Sequence, residues 1–446
     1  MKITINSLGK IATSEIEFND LTILVGDNNS GKTYVTYTIY GLLKNWTDFI
    51  NYNSFKNFIP DLKNKGQITL DKDKIIELVD KSILTESASF HKKIRDLFND
   101  KEKIFSDAKI KLEFQKPKDF KNSEKKIQIG KNIVFEGKIY NNNLTINFIQ
   151  EGESEIDTLL FNRVIGDLFA KLIFDDIFPD PMIVTAERLG ISLFYKELDE
   201  KRNSLVDGLQ KLEDKADFHP IEFLLSMSAY YATPIKDHIA FTRNLDNIKK
   251  YTSNIDSTYP IEIIKDILGA EFKKENKQDI RFHTKNKKNN KFDIPLHLAS
   301  SSARCIVDIY FYLKHIAKEG DVLIIDEPES HLTLRNQRLM AKLIASIVNL
   351  KIKVFITTHS DFLVKELNNL ISLNNDFENK KEWLQKNKKI YIEKDKLNHE
   401  IVSVYNSKDG FTEKLNVTYK GIEIPFFDDE INRLFNVSND LDFFIE

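Results

Sequence analysis

The sequence predicts an α/β protein with a parallel sheet at its core, and three observations support that prediction. A glycine-rich loop over 26–33 stands between an apolar run that ends at Val25 and a stretch of helical spacing. Two further apolar runs, Asp321–Ile325 and Lys353–Thr357, are separated by a helical pattern over Gln337–Val348. Runs without polar alternation are typical of parallel strands that helices cover on both faces.

The composition indicates a folded protein with no strong overall charge. Of 446 residues, 41% are hydrophobic and 30% are charged, which is enough apolar material for a buried core. The 65 basic and 68 acidic residues give a formal charge of -3, so no global field draws the chain to nucleic acid or to a membrane surface. The single cysteine, Cys305, cannot form an intramolecular disulfide, and no apolar run reaches the roughly 18 residues of a membrane span. We therefore expect a cytoplasmic protein with no membrane partner.

The strongest motif is the glycine-rich loop, which has the spacing G-x-x-x-x-G-K-[ST] of a phosphate-binding loop. Its glycines allow backbone N–H groups to curl around phosphate oxygens, its lysine adds positive charge near the β and γ phosphates, and its hydroxyl can bind Mg²⁺. The sequence therefore predicts a nucleotide site in which Thr33 is a metal ligand. The predicted nucleotide-binding residues are Gly26, Asp27, Asn28, Asn29, Ser30, Gly31, Lys32 and Thr33.

A pair of adjacent carboxylates ends the apolar run over 322–325. Asp326, at the carboxyl end of this predicted strand, can hold Mg²⁺ through water, and Glu327 can orient or deprotonate an attacking water. Taken alone, the segment Asp326–Pro328 also fits a turn that stops a strand. The phosphate loop in the same chain favours the first interpretation, with Asp326 as a metal ligand and Glu327 as a catalytic residue.

Two other polar segments stand where phosphate could be bound. His359 follows the strand predicted over 353–357, where a side chain can contact a γ-phosphate, and we predict a catalytic role for it. The alternative for His359 is a hydrogen-bonded structural residue. Ser300, Ser301 and Ser302 open an amphipathic helix whose first N–H groups favour anions, and an ordinary serine N-cap is the alternative there.

In chain order, the phosphate loop, the serine-rich segment, the Asp-Glu-Pro carboxylates and a Thr-His-Ser segment resemble the motif set of the ABC-type ATPase superfamily. The segments Gly9–Ile11 and Glu15–Phe18 are similar to the branch that contains RecF, SMC-like repair ATPases and the overcoming-lysogenisation-defect family. Within this branch the chain is most similar to the stand-alone AAA ATPases of bacterial anti-phage systems such as Septu, PARIS and Gabija. The resemblance covers about 1–43 and 294–370.

The resemblance implies how the site is completed by a second subunit. Ser300, Ser301 and Ser302 would form a signature that reaches across a homodimer to the γ-phosphate bound by the other copy, so that two ATP molecules are sandwiched. Higher oligomers are compatible with this arrangement. Glu187 and Arg188 stand where these families carry an Ala-Glu-Arg segment, at the position of the Q-loop in transporters.

The resemblance also implies an ABC-type P-loop NTPase fold with a mixed β lobe, a parallel-sheet core and inserted helical regions. We expect the chain to be divided into an N-terminal part of the ATPase head over 1–44 and 127–190, an inserted helical region over 45–126, a helical lobe over 191–270, the C-terminal part of the head over 271–375, and a C-terminal extension over 376–446.

The function implied is slow hydrolysis of ATP, with Mg²⁺ as cofactor, by a sensor or regulatory scaffold of an anti-phage defence module. Such a scaffold would control a separate effector protein, for which a nuclease is the leading candidate. A non-enzymatic switch that ATP closes is one alternative. Another is a RecF-like DNA-repair ATPase that binds DNA directly. The candidate contacts are the basic stretches Lys273–Lys274, Lys285–Lys288 and Lys386–Lys389, for which solvated faces are the alternative.

Overall fold

The computed structural model describes residues 1–130, 132–152, 157–194, 231–274, 280–285 and 291–445. Much of the predicted helical lobe over 191–270 and most of the basic turn after Lys285 lie outside the described residues. The chain forms two compact units. The first comprises Met1–Glu17, Thr38–Asp96 and Asp100–Pro181, and the second comprises Phe18–Tyr37, Leu97–Asn99 and Met182–Glu446.

The first part of the chain is mostly antiparallel β-structure with short helices between the strands. Two 3-10 helices, Trp46–Phe49 and Tyr52–Phe58, lie between the first two α-helices. The α-helices and strands are β1 (Lys2–Leu8), β2 (Ile11–Glu17), β3 (Leu21–Gly26), α1 (Lys32–Lys44), α2 (Ile59–Lys65), β4 (Gln67–Leu70), α3 (Lys72–Ser82), α4 (Ala88–Phe98), β5 (Lys109–Glu113), β6 (Ser123–Ile129), β7 (Ile133–Tyr140), β8 (Asn143–Gln150), α5 (Thr158–Phe174) and β9 (Pro181–Val184).

The second part of the chain alternates strands with longer helices. None of its described helices, nor any described helix before it, has the length and apolar character needed to cross a membrane. Its elements are α6 (Thr233–Arg243), α7 (Leu245–Ile248), α8 (Thr258–Leu268), β10 (Glu271–Lys274), β11 (Ile280–Lys285), β12 (Lys291–Pro295), α9 (Ser301–His315), β13 (Val322–Asp326), α10 (Leu334–Asn349), β14 (Lys353–Thr358), α11 (Asp361–Asn374), α12 (Lys380–Lys386), β15 (Val402–Lys408), β16 (Phe411–Leu415), β17 (Val417–Thr418), β18 (Gly421–Ile422) and α13 (Pro425–Ile445).

In the first unit, a four-stranded antiparallel sheet in the order β4-β8-β7-β6 packs against α5. Alternate residues of β7 are buried, and Phe135 contacts Phe148 and Phe161 with ring centroids about 5 Å apart. The turn between β7 and β8 contains Asn141 and Asn142, both with positive φ, as asparagine tolerates better than most residues. The strands β6, β7 and β8 thus form an antiparallel meander. In the same unit β1 pairs antiparallel with both β2 and β5.

In the second unit, six strands are hydrogen-bonded in the order β16-β15-β3-β14-β13-β9. The four strands β15, β3, β14 and β13 are mutually parallel, and every residue of β3 and β13 is buried. The predicted α/β class with a parallel-sheet core is confirmed. In the register of the sheet Asp326 lies beside Thr357, and Thr358 lies beside Val25. The segments that follow these strands therefore begin at one edge of the sheet.

The structure groups the chain differently from the predicted domains in two places. The region over 45–126 contains helices, as expected, but also β4, β5 and the start of β6, which pair with β8, β1 and β7. The region over 376–446 is more than an extension, because β15 pairs directly with β3 and β16 pairs with β15. The pairings of β4 with β8, β5 with β1 and β15 with β3 join segments that are distant in sequence, so local spacing did not reveal them.

We expect Gly137→Ala to destabilise the protein through packing alone. Gly137 lies in β7 without positive φ, and a Cβ there would lie 2.4 Å from Leu172 Cδ1 and 3.1 Å from Leu168 Cγ. Overpacking of this kind costs about 1–3 kcal/mol. Urea unfolding should show the loss, whereas Gly190→Ala, which has open space around its added Cβ, should be neutral or slightly stabilising. Equal stability of the two variants would contradict the packing of α5 on β7.

Candidate functional site

The phosphate-loop motif is placed at the carboxyl end of β3, directly before α1, as the sequence predicted. Gly26 and Gly31 have φ of 144° and 94°, and Asn29 has φ of 63°. A Cβ on Gly26 would lie 2.3 Å from the carbonyl oxygen of Ser407, so β15 requires glycine at this position. The Ser407 hydroxyl also donates to the carbonyl of Ser30 at 2.9 Å. Ser407, which the sequence analysis missed, therefore packs against the phosphate loop and stabilises its conformation.

Lys32 is folded over the loop that precedes it. Its Nζ donates to the carbonyl oxygens of Gly26 at 3.0 Å and Asp27 at 2.8 Å. Burial lowers the pKa of the ammonium, whereas the charges of Glu327 and Asp326 raise it. The loop carbonyls and the two carboxylates therefore hold a buried positive charge at the place where the motif predicts one.

Asp326 ends β13 as a nearly completely buried carboxylate, with 3% of its surface exposed. The Thr357 hydroxyl donates to its Oδ1. Burial is the main cause that raises the pKa of Asp326 to about 6, and repulsion from Glu327 and Glu187 adds to it. A nearby cation stabilises the anionic form of a carboxylate in this environment.

Glu327 has a left-handed backbone conformation, with φ of 50°. For a residue other than glycine this costs on the order of 1–3 kcal/mol and persists only where neighbours enforce it. Its N–H donates to Thr357 Oγ1 at 3.0 Å, and its carbonyl accepts from Arg188 Nη2 at 2.5 Å. The carboxylate then accepts from the Ser330 hydroxyl at 2.9 Å. These contacts fix the direction in which the Glu327 side chain leaves the strand.

Arg188 is buried and its guanidinium contacts backbone. Nη1 donates to the Asp326 carbonyl at 2.7 Å and to the Thr185 carbonyl at 3.3 Å. Glu187 instead accepts from the Tyr37 hydroxyl at 3.3 Å, and burial is the main cause that raises the pKa of Tyr37. Neither residue of the predicted Q-loop equivalent lines the cavity described below. The contacts of Arg188 are those of a residue that positions the carboxylate strand.

His359 follows β14 and faces the carboxylates. The ring nitrogen Nε2 of His359 lies 3.8 Å from Glu327 Oε1, and the backbone N–H of His359 donates to Glu329 Oε1 at 2.7 Å. Burial and the charge of Lys32 lower the pKa of the His359 imidazole. The ring is therefore neutral at neutral pH and can act as a hydrogen-bond donor or acceptor without adding charge.

One cavity of about 240 Å³ brings the predicted residues together. The phosphate loop supplies one wall of this cavity, and the segments after β13 and β14 supply another. Tyr34, which no part of the motif required, also lines it. The lining residues are Asn28, Asn29, Gly31, Lys32, Thr33, Tyr34, Asp326, Glu327 and His359.

The serine-rich segment does not line this cavity. Ser300 is the N-cap of α9, and its Oγ accepts from the N–H of Ala303 at 3.3 Å. The Ser302 hydroxyl donates to the carbonyl of His331 at 3.3 Å. Ser301 is the first residue of the helix and is half-buried. Ser300 is therefore a helix N-cap, which was the alternative prediction. This role is compatible with contact between the N-terminus of the helix and a second copy.

A buried network of hydrogen bonds connects α9 with the segment that carries Arg188. Asp308 in α9 lies 3.0 Å from His238 Nε2, and the backbone N–H of Thr185 donates to His238 Nδ1 at 3.1 Å. Because Nδ1 accepts, the proton of a neutral His238 is on Nε2, from which it is donated to Asp308. The Thr242 hydroxyl also donates to Asp308 at 3.2 Å. No local pattern in the sequence predicts this network, whose members come from three separate segments.

The residues at the cavity fit Mg²⁺ held partly by a nucleotide. Thr33 and Asp326 offer a hydroxyl and a buried carboxylate, and both are oxygen donors on the same cavity. Among the described residues there is no group of three or more His, Cys, Asp or Glu side chains arranged to hold a metal by themselves. Mg²⁺ is usually bound by one or two protein oxygens together with waters and phosphate oxygens, which agrees with this set.

Comparison with known proteins supports an ATPase domain. A family model described as an AAA ATPase domain matches residues 194–364, which is less than half of the chain. The matched segment contains the serine-rich segment, both carboxylates and His359, but not the phosphate loop. No curated protein matches the chain with significance.

Solved structures with similarity to the chain include heads of Smc proteins. An SmcHead bound to the C-winged helix domain of ScpA is 13% identical, with a TM-score of 0.35 and coverage of 93% of this chain and 96% of that one. An Smc head domain with an extended coiled coil, bound to the C-terminal domain of ScpA derived from Pyrococcus furiosus, is 13% identical, with a TM-score of 0.31 and 98% coverage of both chains. The SMC head domain from Thermotoga maritima is 11% identical, with a TM-score of 0.33 and coverage of 94% and 98%.

The similarity to these structures is weak over the whole length. The description of the fold therefore rests on the strand order observed in this chain. The loop after β3 and the carboxylates after β13 have the arrangement of a P-loop nucleotide-binding site, and residues 194–364 are similar to an AAA ATPase domain. ATP with Mg²⁺ is the ligand typical of this class.

The raised pKa of Asp326 predicts a pH-dependent cost of folding. Above about pH 6 the folded protein must hold a buried anion, whereas below the unfolded pKa of about 3.9 both states are protonated. In metal-free and nucleotide-free protein, Asp326→Asn should therefore be more stable than wild type at pH 7.5 by about 1–3 kcal/mol. The difference should vanish as the pH falls from 6 to 4.

Urea unfolding at a series of pH values measures this difference. Asp376→Asn, at an exposed position, is the matched control and should stay within about 0.5 kcal/mol of wild type at each pH. An Asp326→Asn effect that is independent of pH would show that desolvation of the carboxylate is not its cause.

Proposed function

We propose that the protein binds ATP with Mg²⁺ in the described cavity and hydrolyses it with Glu327 as the residue that activates water. The observation that carries this proposal is the convergence of Lys32, Thr33, Asp326, Glu327 and His359 on one cavity at the carboxyl edge of a parallel sheet. In open parallel sheets, ligands are bound at this edge.

Each side chain has a role that its environment supports. Lys32 binds the β and γ phosphates, and Thr33 and Asp326 would hold Mg²⁺, which would supply charge neutralisation to the phosphates. Glu327, fixed by its backbone contacts, orients the water and accepts its proton. Neutral His359 donates a hydrogen bond toward the γ-phosphate, and its 3.8 Å separation from Glu327 supports a role for both at the same group.

The catalytic site would be completed by a second copy of the chain. In this proposal two copies form a two-fold dimer, and Ser300, Ser301 and Ser302 of each reach the γ-phosphate bound by the other. The N-terminus of the fifteen-residue α9 supplies free N–H groups for an anion. The buried hydrogen-bond network of Asp308, His238 and Thr185 would then connect two parts of each copy. One is the helix that contacts the ATP of the other copy, and the other is the segment that positions Glu327 at the copy's own ATP.

The biological role we propose is that of an ATP-controlled scaffold that regulates a separate effector, such as a nuclease, in an anti-phage defence module. Resemblance of the motif set is the support for this role. The alternative is a RecF-like ATPase that binds DNA directly. A salt series of filter-binding measurements with and without ATP separates the two, since phosphate contacts give a steep dependence on salt.

Glu327→Gln should separate binding from hydrolysis. The amide keeps the size of the side chain but cannot accept the proton of water, so we expect hydrolysis to be roughly 10 to 100 times slower. Affinity for Mg-ATP, measured by calorimetry, should be retained because Lys32, Thr33 and Asp326 are unchanged. Glu378→Gln, at an exposed position, should hydrolyse ATP at the wild-type rate. Wild-type turnover by Glu327→Gln would mean that another group activates the water.

Mixing two inactive variants tests whether the site is shared between copies. Lys32→Ala removes the charge that binds phosphate but keeps the serine-rich segment, and Ser301→Arg obstructs that segment but keeps the phosphate loop. Each variant alone should be inactive, and a mixed dimer should regain about one working site, half of the wild-type activity. Absence of activity in a demonstrably mixed dimer, or full activity of a monomer in light scattering, would contradict the composite site.

A further inference from the structure

The helix α13 exposes a continuous apolar face. It is 21 residues long, and Leu434, Leu441 and Ile445 expose 68%, 57% and 80% of their surfaces. Phe435 and Phe444 beside them are 62% and 83% exposed. Most helices in proteins owe their stability to packing of an amphipathic face, and an apolar face of this size marks an interaction site.

The spacing of the apolar residues specifies what can cover the face. Ile431, Leu434, Ser438, Leu441 and Ile445 follow one another at alternating intervals of three and four residues. This is the heptad repeat of a coiled coil, with isoleucine or serine at positions a and leucine at positions d. Among parallel coiled coils, isoleucine at a with leucine at d favours two helices over three or four, and the pattern is complementary to itself.

The charges of α13 agree with parallel pairing of identical helices. Across a parallel pair, a residue at position g faces the residue five positions later in the other helix. Glu430 would then face Phe435 of the second copy, and Val437 would face Asp442 of the second copy, so neither pair sets acid against acid. Glu430 is also within 3.6 Å of Arg433 in its own helix.

The aromatic residues add area at the edges of the seam. Phe435 and Phe444 occupy positions e and g, where each can bury on the order of 150–250 Å². A standard stable interface buries about 800 Å² on each partner. The seam residues and these two rings supply a substantial part of that area from one helix.

We infer that α13 pairs in parallel with α13 of a second copy, and that this interface forms without nucleotide. It is separate from the proposed ATP sandwich, whose contacts are made by the phosphate loop and the serine-rich segment. The occupant of the apolar face is therefore the same chain, and the interface does not require the catalytic residues.

Engineered cysteines test the pairing in the full chain. The natural Cys305 is buried, so a new thiol on α13 reports alone. In nucleotide-free protein under mild oxidation, Leu434→Cys and Leu441→Cys should each give a disulfide-linked dimer, because position d meets itself across a parallel pair. Asn439→Cys, on the opposite face of the helix, should stay monomeric on a non-reducing gel. An antiparallel pair sets position d against position a, so cross-linking only when Leu434→Cys is mixed with Ser438→Cys or Ile445→Cys would overturn the parallel pair.

Light scattering gives the second measurement. Nucleotide-free wild type should have twice the mass of a variant in which Leu434 and Leu441 are both changed to Asp. The matched control changes Asn436 and Asn439 to Asp, adds the same charge on the other face, and should keep the dimer mass. A wild-type monomer at tens of micromolar, with no cross-linking at Leu434→Cys or Leu441→Cys, would overturn the inference and assign the face to a different protein. Because neither measurement contains ATP, failure here leaves the composite catalytic site to be judged by the mixing experiment.

Discussion

The structure depends on holding two adjacent carboxylates, the buried Asp326 and the half-buried Glu327, close to the buried Lys32. Asp326 ends the buried strand β13, and Glu327 follows it directly. Without an opposite charge nearby, repulsion between the two carboxylates would destabilise this end of the strand. Lys32 supplies opposite charge, while Thr357 and Arg188 bind the strand end through its side chain and its backbone. The guanidinium of Arg188 donates to backbone carbonyl oxygens, so it holds the end of the strand in position without occupying the carboxylates. The carboxylates therefore remain available for a metal ion and a water molecule.

The features that sequence reasoning predicted are those with a local signature. The phosphate loop, the carboxylate pair and His359 each stand at the end of a buried strand, and strand and loop are contiguous in the chain. Once the strands at Asp326, Thr357 and Val25 are taken as parallel, their carboxyl ends must share one edge of the sheet. The convergence of Lys32 and Glu327 on one cavity follows from that register, although they are almost 300 residues apart.

The features that were missed depend on contacts between distant segments. Ser407 supports the loop only because β15 joins the sheet beside β3, and nothing in a seven-residue strand indicates which partner it will choose. The contacts of Arg188 are likewise invisible in sequence, because its targets are carbonyl groups, which every residue has. His238 and Asp308 read as ordinary helical residues until the helices are packed. The side chains that do the chemistry were therefore easier to predict than the ones that position them.

Two different self-contacts in one chain have a consequence for how ATP would act. Pairing through α13 and closure around ATP are each two-fold, because in both the same surfaces meet their own copies. If the same two copies make both contacts, the coiled coil raises the effective concentration of one head for the other, and ATP closure becomes an intramolecular step. If different copies make them, the two axes join dimers into a larger assembly, closed when the axes meet and open when they do not. In either arrangement of this proposal, the helix would determine which heads can meet, and ATP would determine when they meet.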